Sequence, residues 1–199
     1  SPHFTFNIMN AIQHFITDND PDSAQRYLTK FARLIRTILE SSEKEKISLT
    51  EEIEGLTLYM ELEALRFEEA FVHEIIVASD LEPDFDRIPP MLIQPYVENA
   101  IWHGLMNKEG QGTIRVELSK LGELLKCTIE DNGIGRGASA IANKDKEKRH
   151  KSMGIQITQE RLDLLNNGNL NGPSVIITDL KNKNGDAQGT LVEILVPIR

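Results

Sequence analysis

Residues 88–104 read IPPMLIQPYVENAIWHG, and they join a helical first third of the chain to a mixed remainder. The pattern over residues 91–106 predicts a helix, with Pro95 near its start, where a missing backbone N–H is tolerated. Asn99 lies in the middle of this helix, and its amide oxygen could coordinate a hard cation or a water of that cation. Asn99 could also be a hydrogen-bonded core amide. Neighbouring Glu98 could hold a water or the metal, or be an exposed helix acid.

Upstream, the sequence predicts a helical hairpin. Apolar residues recur at spacings of three and four on either side of a polar break, which is the period of one helix face: Phe4, Ile8, Ile12, Phe15, then Leu28, Phe31, Ile35, Ile38. Within the break, Asp20 is a plausible helix cap and Pro21 the first helical residue. Such a hairpin buries only part of its apolar surface, so we expect a partner helix pair.

A third helix is predicted over residues 49–69. Ser48 and Glu51 form a capping-box pattern at its start. The helix has two apolar stripes, which indicates that it is covered on two sides and serves as a spacer between the hairpin and the rest of the chain.

Downstream, strands and helices mix. A strand is predicted over 73–78, and a β-hairpin turns at residues 120–123, between alternating apolar residues. A helix follows over 155–165. Two strands, over 174–179 and 191–197, end the chain. Helices followed by mixed elements predict the α+β class, with a helical module over 1–70 and an α/β domain over 71–199.

Composition excludes several classes of protein. The 199 residues carry a net charge of −9, which argues against a general nucleic-acid binder, because such proteins need a basic face. The single cysteine, Cys127, excludes an intramolecular disulfide framework and a cysteine-rich zinc site. No apolar run approaches the ~18 residues of a membrane span. Because the chain begins at Ser1 without an initiator methionine, we expect a fragment of a longer protein.

The order of five motifs resembles the cytoplasmic part of the LytS-like sensor histidine kinases of bacterial two-component systems. The resemblance covers nearly the whole chain and is carried by the motifs PHFTFN, ExExxRF, IPPMLIQPYVENA, DNGIG and GTLVEI, at residues 2–7, 61–67, 88–100, 131–135 and 189–194. It implies a dimerising histidine hairpin followed by a two-layer α/β sandwich, the Bergerat ATP-binding fold shared with gyrase, Hsp90 and MutL. It also implies ATP and Mg²⁺ as cofactors, a homodimer through the N-terminal helices and a response regulator receiver domain as partner. The parent protein would be membrane-anchored upstream of this cytoplasmic fragment.

The resemblance makes His3 the candidate phosphoacceptor. Its imidazole is largely neutral at pH 7 and can attack without a strong base. Asn7, four residues on, shares its helix face and could fix the ring tautomer. No acid adjoins His3, so its proton acceptor is unassigned, and the alternative is a frayed terminal histidine.

In the same way, Asp131 is expected to accept a hydrogen bond from the adenine amino group. Gly133 and Gly135 would let the backbone approach the base, although a plain turn is the alternative. Gly154 is expected to open a helix whose N-terminal amides could cradle phosphate. Thr190 would lie near the nucleotide floor, or would simply start a strand.

Two departures from the family pattern concern phosphate binding. Trp102 stands where family members commonly carry lysine, so His103, Arg136 or a lysine of the expected ATP lid, residues 144–151, could supply the cation. Trp102 could also simply be packed. The second glycine motif of the family has one glycine in this chain, Gly154, where two are usual.

These observations leave three hypotheses for the function of the chain. The first is a histidine kinase that autophosphorylates His3 and passes the phosphoryl group to an aspartate of a response regulator. The second is a nucleotide-binding pseudokinase or dimerisation scaffold of the same fold. The third is an ATPase of the gyrase or Hsp90 kind, with Glu98 as hydrolytic base, which leaves the His3 motif unexplained.

Overall fold

The computed structural model describes residues 2–67, 70–106, 108–137, 148–166 and 172–198, and for residues 2–8 and 148–154 the backbone alone. Its N-terminal part is the predicted helical hairpin. Helix α1 spans Pro2–Thr17 and helix α2 spans Pro21–Ser42. Asp20 is the N-cap of α2 and accepts a hydrogen bond of 3.0 Å from the Ser23 backbone N–H, as predicted.

Helix α3, Leu49–Arg66, joins the hairpin to the sheet domain. Its predicted capping box is present, with Ser48 and Glu51 each accepting from the other's backbone N–H. Directly before α3, the short strand β1, Ile47–Ser48, pairs with β3, Arg87–Ile88, which follows α3 in the chain. Helix α3 carries buried residues on both sides, as its two stripes predict. The spacer helix is therefore tied to the segment that leads into α4 as well as packed on α2.

A five-stranded sheet forms one layer. Its strands are β2, Phe71–Val77; β4, Gly112–Leu121; β5, Leu124–Asp131; β6, Ser174–Lys181; and β7, Ala187–Pro197. They lie in the order β2-β4-β5-β7-β6, with β2 and β4 parallel and all other neighbours antiparallel. The predicted β-hairpin is confirmed, with Leu121 opposite Leu124 and Gly122 at φ +61°.

Two helices cover one face of this sheet. Helix α4, Gln94–Asn99, runs directly into a π-helix over Ala100–Leu105, and helix α5 spans Lys148–Asn166. Helix α4 starts three residues later than predicted because Met91 has φ +62°, which a right-handed helix cannot contain. The helical layer on a mixed sheet confirms the α+β fold class.

Candidate functional site

The site is centred on Asp131, the last residue of the central strand β5. Its side chain is buried, and its Oδ1 accepts a hydrogen bond of 2.8 Å from the Gly133 backbone N–H. Burial raises the pKa of Asp131 to about 6, while hydrogen bonds from the backbone N–H groups of Gly133 and Thr190 act to lower it. Because each carboxylate oxygen can accept more than one hydrogen bond, Asp131 can still receive a donor from a ligand.

Three glycines bring three segments of backbone against this aspartate. A Cβ on Gly104 would lie 2.6 Å from Asp131 Oδ1, and one on Gly133 would lie 2.3 Å from the Gly104 backbone. A Cβ on Gly189, which has φ +121°, would lie 1.8 Å from the Asp131 carbonyl oxygen. Only glycine fits at these positions, since each approach is closer than a Cβ allows.

The structure gives the two loop glycines a packing role, and their predicted role beside the base stays a prediction. The space that a side chain on Gly133 would occupy is filled by the backbone of Gly104, so a ligand cannot enter it. Gly135 has φ +77°, and a Cβ there would lie 3.0 Å from that of Ala187. Packing against the π-helix requires glycine at position 133, whereas the positive φ and the approach to β7 favour glycine at position 135.

Hydrogen bonds on both sides hold the loop after Asp131 in place. The Thr113 backbone N–H donates to Asn132 Oδ1 at 2.8 Å, and the Ile134 N–H donates to the Gly104 carbonyl at 3.0 Å. The loop is thus tied to β4 on one side and to the end of the π-helix on the other.

Asn99 and Glu98 end helix α4 and precede the π-helix that reaches Asp131 through Gly104. Both side chains are half-buried. Glu98 Oε1 accepts a hydrogen bond of 2.9 Å from Gln94 Nε2, and burial raises the pKa of Glu98. Asn99 and Gly104 are five residues apart, which is the span of one hydrogen bond in a π-helix.

This donor set fits Mg²⁺ held jointly with a phosphate ligand. Within the described residues no group of three or more histidine, cysteine or acidic side chains could hold a metal ion. Mg²⁺ typically takes one or two protein oxygens and completes its shell with water and substrate phosphates, so the Asn99 amide oxygen is a suitable ligand.

Thr190 lies opposite Asp131 in the register of β5 and β7, and it is buried. The structure therefore brings these two predicted residues together. Strand β7 begins at Ala187, so Thr190 is inside the strand and not at its start as one alternative had it.

Trp102 packs on helix α3. The Arg66 guanidinium lies 4.3 Å from the centre of its ring, and Phe67 meets it edge-on at 6.1 Å. Its neighbour His103 is half-buried in the π-helix. Arg136 is paired with Asp179 through bonds of 2.7 and 2.9 Å. Of the two possibilities for Trp102, the structure shows the packed ring, against Arg66 and Phe67.

The prediction for Gly154 is wrong in one respect. Helix α5 begins at Lys148, so Gly154 lies in its second turn and its amide is not at a helix N-terminus. Residues 148–151 of the expected lid form the first turn of this helix, and residues 144–147 lie outside the described residues. The side chains of His3 and Asn7 also lie outside the described residues, although both residues belong to α1.

Sequence reasoning missed three residues of the site. Gly104 and Gly189 stand inside motifs that the sequence singles out, but their close contacts with Asp131 depend on distant segments. Lys108 is a positively charged group whose field acts to lower the pKa of Asp131. It lies two residues beyond the predicted helix, where no local pattern points to it.

Comparison with known proteins identifies the family of this chain. A family model described as histidine kinase matches residues 1–71. Over 167 residues, 83% of this chain, the sequence is 30% identical to sensor histidine kinase YpdA of Escherichia coli K12, of which it covers 29%. Over 156 residues, 77% of this chain, it is 31% identical to sensor protein LytS of Streptococcus mutans, of which it covers 26%. The chain thus spans less than a third of the length of these relatives.

Among solved structures, a mycobacterial sensor histidine kinase, MprB, superposes with a TM-score of 0.53 at 13% identity, over 78% of this chain and 97% of that one. At that identity the match concerns the fold. In the part of the chain that the structure describes, no helix is both long and apolar enough to span a membrane. With the motifs in family order and the sequence matches extending over most of its length, the chain belongs to the LytS-like sensor histidine kinase family.

Proposed function

We propose that this chain is the kinase portion of a sensor histidine kinase: it binds MgATP, phosphorylates His3 and passes the phosphoryl group to an aspartate of a response regulator. The observation that carries the proposal is the buried Asp131 carboxylate, held by the Gly133 amide and backed by Gly104 beside the helix of Asn99. A buried acceptor next to a cation ligand suits a nucleotide, which presents a base at one end and phosphates at the other.

Each residue of the site then has a role. Asp131 accepts a hydrogen bond from the adenine amino group, and Thr190 lies beside it at the floor of the site. Asn99 would hold Mg²⁺, and Glu98 would orient a water bound to it. Mg²⁺ supplies charge that offsets the negative charge developing on the phosphates during transfer. Gly133 and Gly135 shape the loop next to the base, and His103, in the π-helix, is the candidate phosphate contact.

The transfer itself uses the His3 imidazole as nucleophile. One ring nitrogen forms a bond to the γ-phosphorus while the bond from that phosphorus to the β–γ bridging oxygen breaks, and ADP leaves with the electron pair. Asn7, on the same face of α1, orients the ring so that the neutral nitrogen points at phosphorus. In the second step the phosphoryl group moves from nitrogen to an aspartate oxygen of the receiver domain.

A homodimer through the N-terminal helices is part of this proposal. Helices α1 and α2 expose apolar side chains at the helical spacings of seven and eleven residues, namely Met9 and Ile16, and Leu28 and Leu39. Such stripes suit a four-helix arrangement with a second copy. The hairpin module over residues 1–70 would then be shared between subunits, and residues 71–199 would form the catalytic domain.

The family matches favour this reading over the scaffold and ATPase alternatives. The experiment that tests it is incubation with ATP labelled at the γ-phosphate, with Mg²⁺, comparing the wild type with His3→Ala. Acid-labile, alkali-stable label in the wild type and its absence from the variant support the proposal. Steady release of phosphate that His3→Ala leaves unchanged would instead identify an ATPase, and ATP binding without label would identify a scaffold.

A further inference from the structure

Helix α3 and the helix that carries Asn99 share a buried polar cluster. The guanidinium of Arg66 lies over two aromatic rings, 4.2 Å from the centre of Phe67 and 4.3 Å from that of Trp102. The same guanidinium forms an ion pair with Glu63, whose side chain is 1% exposed, while that of Arg66 is 10% exposed. A planar cation that contacts two mutually perpendicular rings and pairs with a carboxylate is a geometry that arginine supports and lysine does not.

Further contacts extend this cluster across the interface. Tyr59 of α3 has a hydrogen bond with the Trp102 side chain. Burial raises the pKa of Glu63 to about 7, and the nearby charges of Arg66 and Glu98 act on it in opposite directions. Glu98 is the residue before Asn99. The cluster therefore connects the spacer helix to the residues next to the cation ligand.

A second contact ties the same two helices at the other end. Glu52 of α3 is buried, and the backbone N–H groups of Met91 and Ile93, immediately before α4 begins, act to lower its pKa against the effect of burial. Glu52 and Glu63 are eleven residues apart, which is three turns, so they lie on the same face of α3. Helix α3 thus holds the α4 segment both before and after Asn99.

The contact between Arg66 and Trp102 acts on an unusual part of the backbone. Trp102 is the third residue of the π-helix, between Asn99 at its start and Gly104, which touches Asp131. π-Helical turns are rare and are frequently found at functional sites. Removing the Trp102 ring, or the guanidinium that packs on it, would let this turn relax toward ordinary α-helix and shift Asn99 relative to Asp131.

We propose that Arg66 is a positioning residue for magnesium-dependent nucleotide binding, acting through Trp102 to set the Asn99 amide relative to Asp131. The inference rests on the proposed function, because it assumes that Asn99 holds the cation. It also gives Trp102 a purpose at the position where family resemblance leads one to expect lysine.

The test measures ATP affinity by calorimetry with Mg²⁺ and again with EDTA, for Arg66→Leu and Trp102→Ala. We expect about a tenfold loss of affinity in Mg²⁺, as for groups that orient metal ligands, and a change below twofold in EDTA. The conservative Trp102→Phe keeps a ring over Arg66 and should recover most of the affinity. Arg33→Leu is the matched control, because it breaks an arginine–glutamate pair, with Glu54, that is exposed and distant from Asn99.

Arg66→Leu leaves Glu63 buried without its partner and could unfold the chain. The double variant Glu63→Gln with Arg66→Met removes both charges and keeps the volume, so it serves where the single variant fails to fold. Folding is checked by circular dichroism, and emission from Trp102, the only tryptophan, reports loss of the stacked cation.

Equal losses in Mg²⁺ and EDTA would overturn the inference, since they would indicate a general structural role. Folded variants that bind MgATP like the wild type would also overturn it. The proposed function fails by different results: a wild type that binds no ATP, or Asn99→Ala and Asp131→Asn variants that bind it normally. Loss of magnesium dependence in Asn99→Ala with no effect in the Arg66 variants would leave the proposed function standing and remove the inference alone.

Discussion

Gly104 and Asp131 lie in contact, so that a single added carbon on Gly104 would stand 2.6 Å from the Asp131 carboxylate. The contact joins the end of the π-helix to the end of the central strand. It places the helix of Asn99 beside the residue that we assign to adenine. The site is thus assembled by an approach of two backbones, and side chains then add the chemistry.

Substituting Gly104 with alanine should therefore impair both stability and nucleotide binding. The added methyl group forces the carboxylate or the π-helix to move, and overpacking of this kind typically costs about 1–3 kcal/mol of unfolding free energy. Urea unfolding and ATP titration of Gly104→Ala measure the two effects. Gly137→Ala is the matched control, since a Cβ there meets nothing within 4 Å and its φ is ordinary. Unchanged ATP affinity in Gly104→Ala would contradict the assignment of the site.

Asp131→Asn should weaken ATP binding about 10- to 100-fold, because a hydrogen bond to a charged group is replaced by a neutral one. The loss should be the same with Mg²⁺ and with EDTA, since Asp131 contacts the base. Calorimetric titration gives both values. Asp179→Asn is the control, because that carboxylate is exposed and paired with Arg136. Equal affinities for wild type and Asp131→Asn would remove Asp131 from the adenine site.

The pH dependence of ATP affinity provides a further prediction. Burial raises the pKa of Asp131 to about 6, so its carboxylate is ionised above that pH and protonated below it. If the ionised form is the better acceptor, affinity of the wild type falls as the pH is lowered from 7 to 5. Asp131→Asn should show a smaller change over the same range. A parallel fall in both proteins would place the titrating group elsewhere.

Asn99→Ala should remove the effect of Mg²⁺ on ATP affinity. Without the amide oxygen the cation keeps only phosphate and water ligands, and affinities in Mg²⁺ and in EDTA should converge. Retention of wild-type magnesium dependence would exclude Asn99 as the ligand. Asn184→Ala, in the exposed turn between β6 and β7, is a suitable control.

Glu52→Gln should alter the pH dependence of stability. Burial raises the pKa of Glu52 from 4.5 to about 7, so the folded chain holds a proton that the unfolded chain releases at a lower pH. The free energy of unfolding of the wild type should therefore fall as the pH rises from about 4.5 to 7, by up to about 3 kcal/mol from this residue. Glutamine still accepts hydrogen bonds but carries no charge.

Urea unfolding at pH 5 and pH 8 tests this. Glu52→Gln should lose less stability between the two values than the wild type does, and should be the more stable protein at pH 8. Glu45→Gln, at an exposed position, is the control. An identical pH dependence in Glu52→Gln and wild type would refute a raised pKa for Glu52.

Local features of the sequence determined much of this structure. The Asp20 cap, the capping box from Ser48 to Glu51 and the β-hairpin around Gly122 were all predicted, because each depends on residues within a few positions of one another. The order of the motifs identified the family in the same way, and placed Asp131 at a strand end and Asn99 on a helix before any contact was known.

Only the tertiary structure decided how these pieces meet. That Gly104 contacts Asp131, that Arg66 stacks on Trp102 and that Gly133 faces a backbone are contacts between segments tens of residues apart. No periodicity or cap reports such contacts, because they depend on how the sheet and helices pack. The misplaced Gly154 has a different cause: helix α5 starts at Lys148, in a charged stretch without the apolar periodicity that would predict a helix.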